Sequence, residues 1–345
     1  MRGEFRISKP GSVRLAIVSD IHHASPQESA RRQTIFNPIP GPARRWLVRQ
    51  YRSRLWLRDP FAHNHLFDRF LDESRGVDGA IANGDYSCDS AYVGVSDDAA
   101  FASAELCLSK LRRQFQANFQ ATIGDHEIGK KMLAANAGGL RLASYHRARR
   151  ELQLESCWSV EVGRYLLIGV TSTLVALPLY EGEALPEERT EWQELRAEHL
   201  AAIERQFDAV RSEQRILLFC HDPSALPFLG RMPAVVRRLP QIERTIIGHL
   251  HSPAVIRLST ILAGMPIIKF LGHTPRRLSG AVREARHWRP FRVLLCPSLT
   301  GVQLLKDGGY YTVELDRDAS VSPRFQFHHL KWPERRPPAR ELPRE

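Results

Sequence analysis

Short apolar runs rich in β-branched residues recur along the chain and are separated by polar, helix-type stretches. Most of these runs contain no regular polar position, so we expect strands that are covered on both faces. The predicted strands are Val13–Ser19, Gly79–Ala82, Ala121–Ile123, Tyr165–Val170, Ile216–Cys220, Thr245–Ile247, Pro266–Leu271, Val293–Cys296 and Tyr311–Leu315.

Apolar residues at helical spacing predict helices between several of these strands. Ser96 and Asp97, which are favoured capping residues, begin a predicted helix over Asp97–Phe115, and amphipathic patterns predict two more over His65–Glu73 and Glu188–Arg211. Because strands and helices alternate over the first 250 residues, we expect a layered α/β fold with mixed sheets. No repeat or Gly/Ser linker divides the chain, so we expect one domain over residues 1–332 and a disordered tail over 333–345.

Side chains of the types that bind metals follow five of the predicted strands. They are Asp20 and His22; Asp85; Asp125 with His126 and Glu127; His221; and His249 with His251. The carboxyl ends of strands converge on a crevice in open α/β sheets, so these groups can share one site. Imidazole and carboxylate together suit Mn, Fe and Zn, and a bridging carboxylate offsets the repulsion between two cations about 3.5–4 Å apart. Gly84, Gly124 and Gly248 precede three of the groups and predict tight backbone turns.

Composition narrows the class of protein. Hydrophobic residues make up 43% and charged residues 25% of the 345 residues, which is typical of a soluble globular domain. No apolar run reaches the 18 or so residues of a membrane span, and the first residues lack the apolar core of a signal peptide, so we expect a cytoplasmic protein. The five scattered cysteines include no CxxC pair, which argues against a zinc knuckle or a disulfide framework.

The formal charge of +11, from 49 basic and 38 acidic residues, favours an anionic partner such as nucleic acid, a phosphorylated substrate or an anionic lipid surface. The alternative is purely compositional. Arginine supplies 42 of the 49 basic residues, as a GC-rich genome would produce, and the charge then identifies no partner.

The order of the motifs resembles that of the calcineurin-like metallophosphoesterases, whose blocks read DxH, GD, GNH[DE], H and GHxH. The matching residues are Asp20-Ile21-His22, Gly84-Asp85, Gly124-Asp125-His126-Glu127, His221 and Gly248-His249-Leu250-His251. The resemblance extends from residue 13 to about residue 316, where CPSLTGVQLLKDGGYYTVELD is similar to the closing strand pair of the family. It implies a four-layer αββα sandwich of two mixed β-sheets with a dinuclear metal centre.

The resemblance also implies a role for each motif residue. The implied metal ligands are Asp20, His22 and His251 for the first ion, His221, His249 and Asp125 for the second, and Asp85 as the bridge. His126 would protonate or hydrogen-bond the leaving oxygen, and Glu127 would orient its ring. The implied activity is hydrolysis of a phosphate ester or diphosphate by a metal-bridging hydroxide.

Asp125 departs from the family pattern, which has Asn at this position. A carboxylate adds negative charge and favours harder ions, so we expect two Mn²⁺ ions, with Zn or Fe as alternatives. We expect Asp125→Asn to remain dinuclear and to be at least as active. A non-catalytic scaffold on the same fold is the alternative that Asp125 favours, whereas the intact His126 and the near-complete ligand set argue for an enzyme.

Two basic segments lie outside the motifs. The segment 42–61 places Leu47, Tyr51 and Leu55 on one helical stripe beside arginines, which is typical of a helix in a membrane interface; the alternative is a helix that packs its Leu and Tyr on the core. The Arg-rich segment 273–292 is either a substrate-binding flap or a solvated loop.

Together these segments predict a phosphorylated small-molecule or lipid substrate at an anionic membrane, and hence a peripherally membrane-associated protein. The resemblance offers a precedent in the metallophosphoesterases that cleave UDP-diacylglucosamine in lipid A synthesis. The alternative substrate class is a nucleotide or nucleic acid, whose phosphates would contact the same arginines.

Overall fold

The computed structural model describes residues 2–7, 11–132, 135–261 and 283–332. Within these residues eleven strands form two mixed sheets. The strands are β1 (Arg2–Glu4), β2 (Ser12–Val18), β3 (Gly79–Ala82), β4 (Phe119–Ala121), β5 (Cys157–Val162), β6 (Tyr165–Val170), β7 (Arg215–Cys220), β8 (Ile242–Ile247), β9 (Val293–Leu295), β10 (Gly309–Asp316) and β11 (Arg324–His329).

Helices connect most of the strands. The α-helices are α1 (Pro26–Ala30), α2 (Pro42–Arg54), α3 (Asn64–Glu73), α4 (Asp98–Phe115), α5 (Asp125–Ile128), α6 (Leu142–Arg150), α7 (Ser172–Val175), α8 (Leu177–Tyr180), α9 (Arg189–Asp208), α10 (Leu226–Leu229), α11 (Pro233–Arg238) and α12 (Pro253–Ile261). Short 3₁₀ segments lie at Arg31–Gln33, Gly94–Ser96, Gln116–Asn118, Glu181–Glu183, Pro186–Glu188, Pro223–Ala225, Leu239–Gln241 and Glu284–Phe291.

The strand order places the carboxyl ends of the parallel strands of both sheets at one end of the molecule. One sheet runs β11-β10-β2-β3-β4, in which β2, β3 and β4 are parallel and β10 is antiparallel to β2. The other runs β1-β5-β6-β7-β8-β9, in which β6 to β9 are parallel. A bridge between Ser19 and Ser298 joins the two sheets where β2 ends. This junction lies beside Asp20 and His22, the first predicted metal ligands of the sequence.

Two apolar clusters define the layers. Alternate side chains of β2, including Leu15 and Ile17, pack with Trp158 of β5 and Phe219 of β7 in a core between the sheets. The outer faces of both sheets pack against helices in a second, larger cluster. The predicted four-layer α/β sandwich is therefore confirmed. The strands β3 and β6 are buried at every position, as their uniformly apolar sequences predicted.

Most elements that the apolar pattern predicted are present within one to four residues of the expected bounds. Asp97 caps α4 by accepting a hydrogen bond from the main-chain N–H of Ala100. The strands β1, β5 and β11 were not predicted. The predicted strand Pro266–Leu271 and the tail from residue 333 lie outside the described residues.

The Arg-rich segment 273–292 is described only from residue 283, and there it is anchored on the core and not fully solvated, while its role as a substrate-binding flap stays a prediction. Residues Glu284–Phe291 form a 3₁₀ helix whose Trp288 and Phe291 are buried against the main core. The apolar side chains, spaced three apart, anchor the segment while its arginines remain at the surface. In the described part of the chain, we find no helix with the length and apolar character needed to cross a membrane.

Candidate metal centre

The metal-type side chains follow the carboxyl ends of five parallel strands, as the sequence predicted. Asp20 and His22 follow β2, Asp85 follows β3, and Asp125 begins α5 after β4. The second sheet contributes three histidines, which are His221 after β7, and His249 and His251 after β8. Two sheets that pack face to face thus bring seven predicted site residues, separated by up to 231 positions, to one end of the sandwich.

Four of these residues form one group whose side-chain atoms lie close enough to bind a metal ion together, called a ligand-type group below. One ligand atom from each of Asp85, Asp125, His221 and His249 lies within 4.8 Å of the others. The Nε2 atom of His221 is 3.2 Å from both Asp85 Oδ2 and Asp125 Oδ1. The Nδ1 atom of His249 is 2.9 Å from Asp125 Oδ1. The set combines two carboxylates and two imidazoles, a donor combination that suits a divalent transition metal.

Asp20, His22 and His251 form the neighbouring group. The Nε2 atom of His251 is 3.2 Å from Asp20 Oδ1, and the rings of His22 and His251 stack with centroids 5.0 Å apart. Asp85 also belongs to a third group with His22 and His126, so it lies between the first two groups. This position suits a carboxylate that contacts two ions.

The electrostatics of the two groups fit positive ions. Burial raises the pKa of Asp20. Although burial alone would lower the pKa of His221, the carboxylates of Asp85 and Asp20 raise it well above its usual value. The Nε2 atom of His22 is buried and has no hydrogen-bond partner among the described residues. A buried nitrogen that faces carboxylates without a partner is a natural ligand atom.

Main-chain and side-chain contacts outside the centre fix the orientation of the imidazoles. The Nδ1 atom of His221 is 2.6 Å from the carbonyl oxygen of Asn83, and that of His22 is 3.2 Å from the carbonyl oxygen of Ser87. In both rings Nε2 therefore faces the carboxylates. Such outer partners hold a ligating ring in one tautomer and one direction.

Asp222 is a site residue that the sequence reasoning missed. Its carboxylate lies 3.9 Å from His249 Nε2, on the side of the ring opposite Asp125, and it accepts a hydrogen bond from the Tyr180 hydroxyl. Its position directly after His221 was the available signal. Asp222 is placed to orient His249 through electrostatic attraction.

His126 lies beside Asp85 but makes few polar contacts. Its Nε2 atom is 3.7 Å from Asp85 Oδ2, its ring centroid is 4.6 Å from that of His22, and its Nδ1 atom has no hydrogen-bond partner among the described residues. Burial lowers the pKa of His126 to about 3, so the ring is neutral at pH 7.

The predicted role of Glu127 is wrong. Its carboxylate accepts hydrogen bonds from the main-chain N–H groups of Asp85, Tyr86 and Gly124 at 2.8–3.0 Å, and it makes no described hydrogen bond to the His126 ring. Burial raises the pKa of Glu127 to about 8, whereas these three donors favour the carboxylate. Glu127 thus ties the turn after β3 to the turn after β4, and it positions the main chain of both.

Five of the predicted ligands adopt left-handed backbone conformations. The φ angles are 51° at Asp20, 48° at His22, 60° at Asp85, 56° at His249 and 60° at His251. Non-glycine residues rarely adopt these angles, although Asp and His do so more often than most. Such strain concentrates at functional sites, where the surrounding structure holds the backbone in place.

The glycines before the ligands serve two different purposes. Gly84 has a φ of 92°, so it supplies the conformational freedom that the sequence predicted. Gly124 has a φ of −92°, and a Cβ atom on Gly248 would overlap Ser19 and Asp20. These two glycines are needed because a side chain would not fit. This corrects the prediction that glycine is needed at these positions to form a tight backbone turn.

Two further contacts of the centre were not predicted. The Nζ atom of Lys130 lies 2.6 Å from Asp125 Oδ2, and the Trp56 ring lies 5.1 Å from the His251 ring. The sequence around Lys130 and the sequence around Trp56 contain no signal that distinguishes these two residues from the neighbouring lysine or apolar residues.

No protein-family model and no curated protein matches the chain. Among solved structures the chain is similar to a dimetal phosphatase from Danio rerio, with 11% identity, a TM-score of 0.42, and coverage of 91% of this chain and 98% of that one. It is also similar to phosphopantetheinyl hydrolase from Mycobacterium tuberculosis, with 13% identity, a TM-score of 0.35, and coverage of 70% and 84%. A third similar structure is a predicted phosphoesterase from Streptococcus pneumoniae, with 11% identity, a TM-score of 0.27, and coverage of 92% and 98%.

Proposed function

We propose that the protein is a metal-dependent phosphoesterase of the calcineurin-like type, which hydrolyses a phosphate ester or diphosphate at a dinuclear centre. The observation that carries this proposal is the convergence of seven carboxylate and imidazole side chains in two adjacent groups, with Asp85 between them. Asp20, His22 and His251 would hold one ion, and Asp125, His221 and His249 would hold the other. When bound, the two ions would supply an activated water and would stabilise charge on the phosphoryl oxygens.

His126 would act on the leaving oxygen. Its ring borders both groups through His22 and Asp85, and it is neutral at pH 7 because burial lowers its pKa to about 3. A neutral imidazole can donate one N–H hydrogen bond to a developing alkoxide, and it has no excess proton to give before bond cleavage. We therefore assign His126 as a hydrogen-bond donor to the leaving group.

Mn²⁺ is the proposed metal, with Zn²⁺ and Fe as alternatives. The two groups contain three carboxylates, those of Asp20, Asp85 and Asp125, and no described thiolate. Together with the four imidazoles, these carboxylates suit Mn, Fe and Zn, and a carboxylate at position 125 in place of an amide favours the harder ion Mn²⁺.

We further propose that the substrate is presented at an anionic membrane, with helix α2 as the contact surface. No residue of α2 is buried, and the exposed fractions of Trp46, Leu47, Tyr51 and Leu55 are 59%, 59%, 42% and 45%. The alternative interpretation of this helix, in which Leu47, Tyr51 and Leu55 pack on the core, is therefore wrong. Leu304 and Leu305 extend the apolar surface, because Leu304 N–H donates to the Leu55 carbonyl at 3.3 Å.

This surface, formed by Trp46, Leu47, Tyr51, Leu55, Leu304 and Leu305, is called the apolar rim below. It adjoins the centre through aromatic contacts. The Tyr51 and Trp56 rings are 6.5 Å apart, and the Trp56 ring lies against His251. The same segment carries exposed arginines at 44, 49, 54 and 58. Large exposed apolar side chains beside basic residues and next to a reactive centre fit a substrate with a lipid tail and an anionic headgroup.

Anionic vesicles test the membrane proposal. Four arginines at about 1 kcal/mol each would contribute about 4 kcal/mol to binding at low salt, and this part should fade as the Debye length shortens. Co-sedimentation should show binding to phosphatidylglycerol vesicles that weakens with salt and falls at least about tenfold with Leu47→Glu or Leu55→Glu, because a charge replaces an exposed apolar side chain that would insert into the bilayer.

Val321 is the matched control, since it is 66% exposed in the turn between β10 and β11, at the end of the sheet away from the centre. Val321→Glu should sediment like the unmodified protein. Negligible binding of the unmodified protein at low salt would contradict the proposal.

A nucleotide or nucleic-acid phosphodiesterase is the second candidate, and one cavity favours it. An open cavity of about 480 Å³ is lined by Arg32, Gln33, Phe36, Arg49, Arg58 and Asp59. Three guanidinium groups beside one carboxylate and an aromatic ring suit a phosphate next to a base. A nucleotide substrate would depend on these arginines and would be turned over without vesicles.

Elemental analysis combined with hydrolysis tests the proposed activity. We expect two Mn²⁺ ions per chain after reconstitution and Mn²⁺-dependent hydrolysis of aryl phosphate mono- or diesters, which a chelator abolishes. Two bound ions without hydrolysis of any ester in a panel that includes lipid and nucleotide substrates would favour the non-catalytic scaffold. A chain that binds no divalent ion would refute the proposal.

A further inference from the structure

Lys130 forms an ion pair with the one ligand that departs from the family pattern. Its ammonium nitrogen lies 2.6 Å from Asp125 Oδ2, and its side chain is 18% exposed while that of Asp125 is 2% exposed. The other carboxylate oxygen, Oδ1, faces His221 and His249 at 3.2 and 2.9 Å. Asp125 therefore directs one oxygen toward the centre and the other toward a lysine.

The local backbone is built to bring these two side chains together. Asp125 begins α5, a single turn that ends at Ile128, and Gly129 then adopts a φ of 93°. A Cβ atom at Gly129 would overlap the carbonyl oxygen of Gly139 and the main chain of Val93. Only glycine satisfies both the angle and the space, and the chain reverses there so that Lys130 returns to Asp125.

The pair has a simple consequence for charge. An asparagine at position 125 would offer one oxygen and no charge. The carboxylate offers a stronger oxygen ligand with a charge of −1, and Lys130 at +1 makes the pair neutral.

We propose that Lys130 is a positioning residue that sets the charge of the second metal position, so that Asp125 binds as a carboxylate while the pair has the net charge of an amide. This inference rests on the proposed metal centre. The sequence alone led us to expect that Asp125→Asn remains dinuclear and at least as active, because that expectation did not take the contact with Lys130 into account. The present inference predicts the opposite. With Lys130 in place, Asp125→Asn removes the carboxylate that the ammonium group contacts at 2.6 Å, so the net charge beside a divalent cation becomes more positive by one.

The experiment is a double-mutant cycle read by calorimetric titration of metal-stripped protein with Mn²⁺. Asp125→Asn should weaken the second binding event roughly 10- to 100-fold, the usual scale for groups next to metal ligands. Asp125→Asn with Lys130→Met should return to within a few-fold of the unmodified protein, because both charges are gone. Lys130→Met alone should bind the second ion more tightly than the unmodified protein does.

Lys131 is the matched control, since it is the adjacent lysine and its ammonium group contacts the carbonyl oxygen of Gly182 at 3.1 Å. Lys131→Met should leave both affinities unchanged. Lys130→Met leaves a buried carboxylate without its partner and can fail to fold, so the comparison of Asp125→Asn with the double variant carries the test. Neither of these two variants contains an unpaired carboxylate at position 125.

Equal second-site affinities in Asp125→Asn and the double variant would overturn the role of Lys130 while leaving the metal centre intact. Absence of any Mn²⁺ binding by the unmodified protein would overturn the proposed function and this inference together. The two failures are therefore distinguished by the titration of the unmodified protein.

Discussion

Replacing Asp85 by alanine is expected to remove both metal ions and all hydrolysis. Asp85 lies between the two ligand-type groups, with Oδ2 3.2 Å from His221 Nε2 and 3.7 Å from His126 Nε2. Its Oδ1 atom also accepts the main-chain N–H of His126 at 3.0 Å. In the proposed dinuclear centre, loss of this side chain would remove a ligand from both positions and would leave the repulsion between two cations without a shared carboxylate. Elemental analysis after gel filtration measures the metal content directly.

Asp89 provides a control for the loss of a buried carboxylate. It lies four residues from Asp85, is fully buried, has a φ of 46°, and accepts the main-chain N–H of Gly94 through Oδ1. It belongs to none of the ligand-type groups among the described residues. Asp89→Asn keeps the hydrogen bond to Gly94 and should retain two ions. An Asp85→Ala protein that still holds two ions per chain would refute the bridging assignment.

Replacing His126 by alanine is expected to leave both ions bound while the hydrolysis rate falls by roughly 10² to 10⁴, the usual contribution of a positioned donor. The loss should be largest for alkyl phosphates, whose leaving oxygens develop full charge, and smallest for aryl phosphates with acidic leaving groups. His126→Gln keeps an N–H donor of similar reach, so it should recover part of the loss. Rates on matched alkyl and aryl substrates give this comparison.

Metal content separates the two possible roles of His126. The ring shares a ligand-type group with His22 and Asp85, so a direct ligand is the competing assignment. A His126→Ala protein that loses an ion would identify His126 as a ligand. His146, a half-buried residue paired with Glu191 at 2.7 Å, is the control histidine, and His146→Ala should change neither the metal content nor the hydrolysis rate.

The sequence predicted that the seven carboxylate and imidazole side chains lie close together, because polar residues at the ends of uniformly apolar runs have few alternative positions. A strand that is buried on both faces must end where carboxylates and imidazoles begin, and parallel strands end together. The bounds of β3 and β6 agreed with prediction for the same reason. The strands β1 and β11 lie at sheet edges, where β11 is largely exposed, and neither carries the continuous apolar run that marked the central strands.

The contacts that modify the ligands could not be read from the sequence. The pairing of Lys130 with Asp125 depends on the direction of the chain after Gly129, and the contact of Trp56 with His251 joins positions 195 residues apart. Local patterns also could not decide the environment of α2. Its stripe of Leu47, Tyr51 and Leu55 is equally compatible with a core and with a membrane, because periodicity defines a face and not its partner.

The left-handed backbone at five of the predicted ligands implies a conflict between the stability of the fold and the function proposed for these residues. Each such residue costs roughly 1 to 2 kcal/mol relative to an ordinary backbone angle, and glycine at the same position avoids this cost. Asp20, His22, Asp85, His249 and His251 are therefore positions where loss of function can coincide with a gain in thermal stability. Selection of variants for heat resistance alone should erode these residues early, so directed evolution of this chain needs an activity or metal-binding screen in every round.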